Sequence, residues 1–206
     1  YFLFFIGILI CVWQLGSTGL IDETPPLFAS ASRGMVSSGD WLTPKVNGLT
    51  RFDKPPLIYW LMGLGYSFPG NAIWDPLGTW AARIPSALST LLMLLILGDT
   101  AMRFPQKGDF FPRRTAIAIA LVFVLSPIVV LWSRIAVSDS LLCSTLGVSL
   151  IFQWRRYVKP SRENWLIAWV FLGLAVLTKG PVAIVLTFLT LAIFGLLQRD
   201  IFFLWN

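Results

Sequence analysis

The sequence has no histidine among its 206 residues, and only 13% of them are charged. The absence of histidine excludes Ser-His triads, histidine general bases and histidine metal ligands within this chain. Any base must therefore be a carboxylate, a lysine or a tyrosine. Hydrophobic residues make up 56% of the chain and its mean hydropathy is +0.75, more than a soluble domain of this size can hide. The composition predicts an all-α polytopic membrane protein.

Cysteine is also scarce. Cys11 and Cys143 both lie inside apolar blocks, which favours two small core residues over a disulfide or a metal pair. The chain opens on Tyr1 without the basic region or cleavage site of a signal peptide, and it stops just after an apolar block. We therefore interpret it as a piece of a longer chain, truncated at its C-terminal end.

Long apolar blocks fill most of the sequence. About 20 helical residues cross a hydrocarbon core of about 30 Å, so the block 116–154 is roughly twice too long for one helix. The charged patch 134–139 breaks it, and Gly180-Pro181 breaks the block 165–198 in the same way. We predict one transmembrane domain, 1–206, with spans at about 2–20, 80–102, 116–132, 140–154, 164–178 and 182–197.

The segment 21–79 is the one long polar loop. Thr24 is a candidate N-cap with Pro25 at the first helical position, and Gly39 is a helix terminator. Pro55-Pro56 opens a second short helix, 57–66, after a turn at Asn47-Gly48. Both helices are predicted to lie in the membrane interface. The first has the apolar face Leu27, Phe28, Ala31, Met35 and Val36.

Charge sorts the turns into two sides. The turns 103–114 and 155–163 each carry four basic residues against one acid, and short basic turns are cytoplasmic. The net charge of +6 is thus explained without a nucleic-acid partner. Because the chain changes sides at each span, the loop 21–79 and the breaks at 134–139 and 179–181 then lie together on the outer side.

These outer segments bring acids and cations to one membrane face. A carboxylate can take a proton from an attacking hydroxyl, and Lys or Arg can hold a phosphate as it leaves. Such charges at a membrane boundary are costly unless they are paired or functional. The acids are Asp22, Glu23, Asp53 and Asp139, and the cations are Arg51, Lys54, Arg134 and Lys179.

Each of these residues also has a purely structural interpretation. The negative charges of Asp22 and Glu23 can interact favourably with the N-terminal dipole of the helix that follows them. The positive charge of Lys179 can do the same with the C-terminal dipole of the fifth span. Asp53 can pair with Arg51 or Lys54, Lys54 can extend to the interface, and Arg134 can pair with Asp139. Tyr59 fits an aromatic belt as well as a site. Arg33, Asp40, Lys45 and Asp75 are expected to be solvated.

Several motifs in order resemble the GT-C glycosyltransferases of the aminoarabinose-transferase and protein-mannosyltransferase group. Together they cover nearly the whole chain. They are Asp22-Glu23, Gly39-Asp40-Trp41-Leu42-Thr43-Pro44, Asn47-Gly48, Phe52-Asp53-Lys54-Pro55-Pro56-Leu57-Ile58-Tyr59-Trp60, Arg83-Ile84-Pro85-Ser86-Ala87, Ser133-Arg134-Ile135-Ala136 leading to Asp139, and Leu177-Thr178-Lys179-Gly180-Pro181.

The resemblance implies a GT-C type helical bundle that uses a polyprenyl-phosphate sugar on the outer side of the membrane. By position, Asp22 would be the catalytic base, with Glu23 beside it, and Asp139 a second active-site carboxylate. Lys54 would contact the donor phosphate. Asp53 matches a position that is often Glu and can lie near a divalent cation, which is the one cofactor implied. Thr24-Pro25-Pro26-Leu27 stands where the aminoarabinose branch usually has Arg and Tyr, so the sugar stays open.

The sequence therefore predicts an inverting glycosyltransferase of the bacterial inner membrane, with a lipid, protein or glycan acceptor and a site facing the periplasm. Arg134 and Lys179 are expected to help Lys54 with the phosphate, and Tyr59 to line the site. Two other classes are alternatives. A transporter or flippase would place its ionisable residues near the midplane, and a scaffold would have no chemistry.

Overall fold

The computed structural model describes residues 1–199, and the side chains of all of these except Asn71 and Ala72. The last seven positions of the predicted domain 1–206 lie outside the described residues. The elements in chain order are α1 Phe2–Cys11, α2 Thr24–Ser38, β1 Lys45–Val46, β2 Leu49–Thr50, α3 Leu57–Tyr66, α4 Asn71–Trp74, α5 Trp80–Arg103, α6 Pro112–Leu125, α7 Pro127–Ser133, α8 Ser138–Val158, α9 Arg162–Lys179 and α10 Pro181–Gln198. The predicted all-α bundle is confirmed.

Helix α5 lies at the centre of the bundle and contacts α1, α2, α3, α6, α7 and α8. Asp75 caps its start, because one carboxylate oxygen accepts the N–H groups of Thr79 and Trp80 and the other accepts that of Ala81. These are backbone donors that a helix N-terminus leaves unpaired. Asp75 is thus buried and structural, and the prediction that it is solvated was wrong.

The loop between α1 and α5 folds largely as predicted. Helix α2 ends at Gly39, whose φ of 75° needs the freedom of glycine, and α3 begins directly after Pro56. Asn47 and Gly48 form the turn of a two-stranded antiparallel hairpin that was not predicted. The start of α2 was misplaced by one residue, since Glu23 and not Thr24 occupies the N-cap position.

The first and third predicted spans differ from the helices found there. Helix α1 ends at Cys11 because the segment that follows, ending in Gly16-Ser17-Thr18-Gly19, favours turns. The third segment is divided into α6 and α7, which are bent by 64°. The residue before a proline avoids the helical region, so Ser126 is extended (ψ 126°) and Pro127 starts a new helix.

Two described helices, α5 and α10, are long and apolar enough to cross a membrane, or three spans if the bent pair α6–α7 counts as one. Helix α8 buries hydroxyl groups against its neighbours, which lowers its hydropathy. Ser140 bonds with Thr90 of α5 (3.0 Å), and Ser149 donates to the Ala168 carbonyl of α9 (2.9 Å). Such groups find their partners in adjacent helices. The six-span count stays a prediction.

The bundle has two distinct ends. At one end the ion pair Asp99–Arg155 (2.8 Å) joins the C-terminal parts of α5 and α8, next to the two basic turns. At the other end the Ser86 hydroxyl donates to the Val137 carbonyl, which joins the starts of the same two helices. We call these the basic end and the site end.

Candidate active site

One buried hydrophobic cluster underlies the site end. It contains Phe28, Met35, Ile58 and Tyr59 from α2 and α3, together with Met62. From other parts of the chain it includes Ala136 and Leu141, and Leu20 and Leu174 pack against it. The predicted site residues 22–23, 53–54, 59, 134, 139 and 179 are each within five positions of a member of this cluster or of a residue that packs against it. Tertiary packing therefore brings these segments to the same end of the bundle.

Asp53 lies shortly before α3, in a hydrogen-bond network with Arg51 and Tyr59. The Arg51 guanidinium donates to both carboxylate oxygens, at 2.9 and 2.7 Å, and the Tyr59 hydroxyl donates to Oδ1 at 3.0 Å. Partial burial opposes ionisation of Asp53, but the two donors outweigh it and hold the pKa of this carboxyl below its ordinary value. Asp53 is therefore an ionised acceptor at neutral pH.

Tyr59 is fully buried beneath this network. Its ring packs edge-on against that of Phe28, with 5.5 Å between the centroids. Burial, followed by the nearby charge of Asp53, raises the pKa of Tyr59 well above its ordinary value, so its hydroxyl keeps its proton and stays a donor. The aromatic-belt interpretation was thus wrong for Tyr59, which is held inside the protein by the cluster.

Lys54 follows Asp53 but takes no part in its network. Among the described residues it forms no hydrogen bond or ion pair, and it lines a cavity of about 380 Å³ with Asp53 and Trp60. The α9–α10 turn approaches this cavity, because a methyl group on Gly180 would lie 3.8 Å from Pro55 Cγ. An unpaired ammonium group in a cavity suits an anionic ligand.

Asp139 and Lys179 form an ion pair that joins two helices. Asp139 lies in the first turn of α8 and Lys179 in the last turn of α9. At these positions each charge also interacts favourably with the dipole of its own helix. The alternative pair of Arg134 with Asp139 is not formed. With the predicted break at Gly180, whose φ is 74°, this pair places the α9–α10 turn at the site end.

Arg134 reaches the end of α1. Its guanidinium donates to the carbonyl oxygens of Ile10 (2.9 Å) and Trp13 (2.8 Å).

Arg83 binds the segment that follows α1 in the same way, with the carbonyl oxygens of Leu15 (2.6 Å) and Gly19 (2.8 Å) as acceptors. In the sequence, Arg83 stood out only as part of a motif. The run of turn-forming residues at 16–19, whose carbonyls need donors, was the available signal for this role.

Asp22 and Glu23 lie exposed directly before α2. Asp22 has a φ of 78°, and its carboxylate accepts the N–H of Glu23 at 2.8 Å. Leu20, two residues earlier, packs on the hydrophobic cluster and fixes this loop at the site end. One oxygen of Asp22 thus holds the loop, and its carboxylate stays open to solvent.

A divalent cation needs several convergent donors. No group of three or more acidic, histidine or cysteine side chains comes together within residues 1–199. Both oxygens of Asp53 are engaged by Arg51, and one also by Tyr59. The described residues alone therefore do not fit a resident metal ion, and no step below uses one.

Comparison with known proteins identifies the family. The family model described as "Dolichyl-phosphate-mannose-protein mannosyltransferase" matches residues 53–204. This chain belongs to that family. The resemblance drawn from the motifs is confirmed.

Members of known sequence show the same relationship. An undecaprenyl phosphate-alpha-4-amino-4-deoxy-L-arabinose arabinosyl transferase of Pseudomonas aeruginosa is 31% identical over 86% of this chain and 31% of its own length. An uncharacterised Aquifex aeolicus protein is 32% identical over 93% of this chain and 40% of its own length. The chain thus spans about a third of the length of the arabinosyl transferases that it matches.

A solved structure extends the likeness to the fold. ArnT from Cupriavidus metallidurans, in its apo state, superimposes with a TM-score of 0.85 at 29% identity. The match covers 99% of this chain and 36% of that one, and the same protein is also solved bound to undecaprenyl phosphate with the same scores. The GT-C helical fold of this family member is thereby confirmed, and with it its class as a membrane protein.

Proposed function

We propose that this family member is part of a glycosyltransferase that moves a sugar from a polyprenyl-phosphate donor to an acceptor hydroxyl or phosphate. The observation that carries the proposal is Lys54, an unpaired cation lining a cavity beside the α9–α10 turn. A phosphate that becomes a leaving group needs such a charge. The relatives named as arabinosyl transferases, and the neighbour bound to undecaprenyl phosphate, support a lipid phosphate as the group that Lys54 binds.

The reaction is a single displacement. The acceptor oxygen attacks the anomeric carbon, the bond from that carbon to the phosphate oxygen breaks, and the polyprenyl phosphate leaves with the electron pair. Asp22 takes the acceptor proton as general base, with Glu23 beside it. One displacement inverts the anomeric centre. We place the site on the periplasmic side of a bacterial inner membrane.

The other predicted residues support this arrangement from around Lys54. Asp139 is the second carboxylate, and its pair with Lys179 orients both side chains at the site end. Asp53 and Tyr59 hold the segment that carries Lys54. Arg134 bonds to the α1 carbonyls and Lys179 to Asp139, so Lys54 is the main phosphate ligand and these two cations assist it.

Replacing Asp22 with Asn tests the base. We expect transfer to fall by at least about a hundredfold, because general-base catalysis is typically worth this much. Radiolabelled sugar transfer by membranes containing each variant is the measurement. Asp109→Asn is the matched control, since the Asp109 carboxylate also accepts a neighbouring N–H, that of Phe111 at 2.8 Å, but in the turn after α5. Full transfer by the folded Asp22→Asn variant would remove Asp22 from the mechanism.

Replacing Lys54 with Gln tests the phosphate contact. One lost charge-assisted hydrogen bond costs about 1.5–3 kcal/mol, so the KM for the donor should rise about tenfold or more. Lys45→Gln is the control, because Lys45 is exposed and its partner is Asp40 at 3.7 Å. Unaltered transfer by both Lys variants, with a loss of lipid export instead, would favour a flippase.

A further inference from the structure

A second cavity, of about 520 Å³, lies between the turns after α1, the start of α5 and helix α7. Its lining includes Arg83 and Arg134 as well as Leu15, Val130 and Leu131. It shares no lining residue with the cavity of Lys54. In the proposed glycosyl transfer, Arg134 holds the end of α1, and the cavity itself takes no part.

The two arginines give this cavity an uncompensated positive charge. Within residues 1–199 neither forms an ion pair, and no acidic side chain lines the cavity. Both guanidinium groups bond only to neutral carbonyl and hydroxyl oxygens. Asp75, whose charge interacts with that of Arg83, directs its oxygens to the N–H groups that start α5. Two such charges in a membrane protein call for an anion.

Arg83 also keeps a donor free. Its side chain is 92% buried, since only 8% is exposed, and its Nε has no hydrogen-bond partner. A buried guanidinium N–H without an acceptor is costly, whereas both terminal nitrogens of Arg83 donate to the carbonyl oxygens of Leu15, Thr18 and Gly19. An oxygen-rich ligand in the cavity would complete the set.

The rest of the lining is apolar and opens sideways. Val130 and Leu131 belong to α7, and Leu131 is 58% exposed on the flank of the bundle. The cavity therefore has a positively charged part at the site end and an apolar part beside it. This pairing of surfaces matches a phosphate headgroup joined to acyl chains.

We propose that this cavity binds an anionic membrane phospholipid, with its phosphate against Arg83 and Arg134 and an acyl chain along Val130 and Leu131. The lipid is a resident of the site and not the sugar donor. It would neutralise the two arginines and steady the turns after α1, which lead to Asp22. The proposal stands independently of the glycosyl transfer.

The test uses the protein as produced from its gene, in nanodiscs of phosphatidylcholine containing phosphatidylglycerol, with bound lipids counted by native mass spectrometry. We expect phosphatidylglycerol to be retained over phosphatidylcholine. Val130→Trp, which fills the apolar part of the cavity, and Arg134→Gln, which removes a charge, should each lower this retention about tenfold. Val129→Trp is the matched control, since Val129 is an equally half-buried neighbour outside the lining and should retain the lipid.

Three results would overturn the proposal. One is equal retention of both lipids. Another is wild-type retention of phosphatidylglycerol by both Val130→Trp and Arg134→Gln. The third is one-for-one displacement of phosphatidylglycerol by undecaprenyl phosphate, which would make the cavity part of the donor site. Because Arg134→Gln adds no bulk to α7, it keeps the test valid if the tryptophan variant fails to fold.

Discussion

The carboxylate of Asp53 illustrates how single residues at the site divide their roles. Two neighbours, Arg51 and Tyr59, donate to both of its oxygens, whereas the adjacent Lys54 is left free. From the sequence, Arg51 and Lys54 were equal candidates as partners for Asp53. The bidentate geometry of arginine and the fixed position of the Tyr59 hydroxyl decide between them.

Asp53→Asn should destabilise the protein in a pH-dependent way. The pKa of Asp53 is lowered in the folded state, so its contribution is present above the unfolded pKa of about 3.9 and is lost as pH falls through the folded value. Its side chain is 39% exposed, so the effect at pH 7 should be about 0.2–1 kcal/mol. Thermal unfolding in detergent from pH 3 to 7 measures it. A difference from wild type that grows as the solution is acidified would contradict this assignment.

At the scale of elements, the site depends on how helices end. Helices α9 and α10 are separated by Gly180 alone, with φ 74° and ψ −145°, a conformation that side chains with a Cβ avoid. This turn puts Lys179 beside Asp139 and Gly180 beside Pro55. Gly-Pro identified the break from the sequence, but not its approach to the Lys54 segment.

Gly180→Ala should cost about 1–3 kcal/mol in unfolding free energy and lower transfer, because the turn can no longer adopt its backbone conformation without strain. A new methyl group there would meet only ordinary contact at 3.8 Å, so crowding is not the cause. Gly173→Ala in the middle of α9 is the control. It has open space around it and should be neutral or stabilising by up to about 1 kcal/mol. Equal behaviour of the two variants in denaturant would refute the role of the turn.

At the scale of the whole molecule, the charges separate along the bundle. The Asp139–Lys179 pair and Lys54 are at the site end, and Asp99–Arg155 is at the basic end. The two ends hold the two sets of turns that the charge bias assigned to opposite sides. A transporter would concentrate its ionisable groups between them.

Cysteine labelling tests this orientation. In a background without Cys11 and Cys143, an impermeant maleimide added outside intact cells should modify Lys54→Cys. It should modify Lys159→Cys only after the membrane is opened. Lys159 follows α8 at the basic end. Modification of both positions from the same side would contradict the topology and the periplasmic site together.

Local signals in the sequence were reliable where the chain itself sets the conformation. Gly39, Asn47-Gly48, Pro56 and Gly180 each determine a turn or a helix end through their own φ preferences, and each was identified correctly. Pro127 carries the same kind of signal for the bend between α6 and α7, but a uniformly apolar run hid it. The motif order was likewise enough to recognise the family.

Composition, backbone preference and residue order were enough to predict the helical class, the breaks at 134–139 and Gly180, and the family. The choice of partners was decided only in the folded protein. Arg134 could pair with Asp139 five residues away, yet it binds the carbonyls of α1, and Asp139 binds Lys179, 40 residues on. Partner choice depends on which helices pack side by side, and that packing is set by buried contacts between residues that are far apart along the chain.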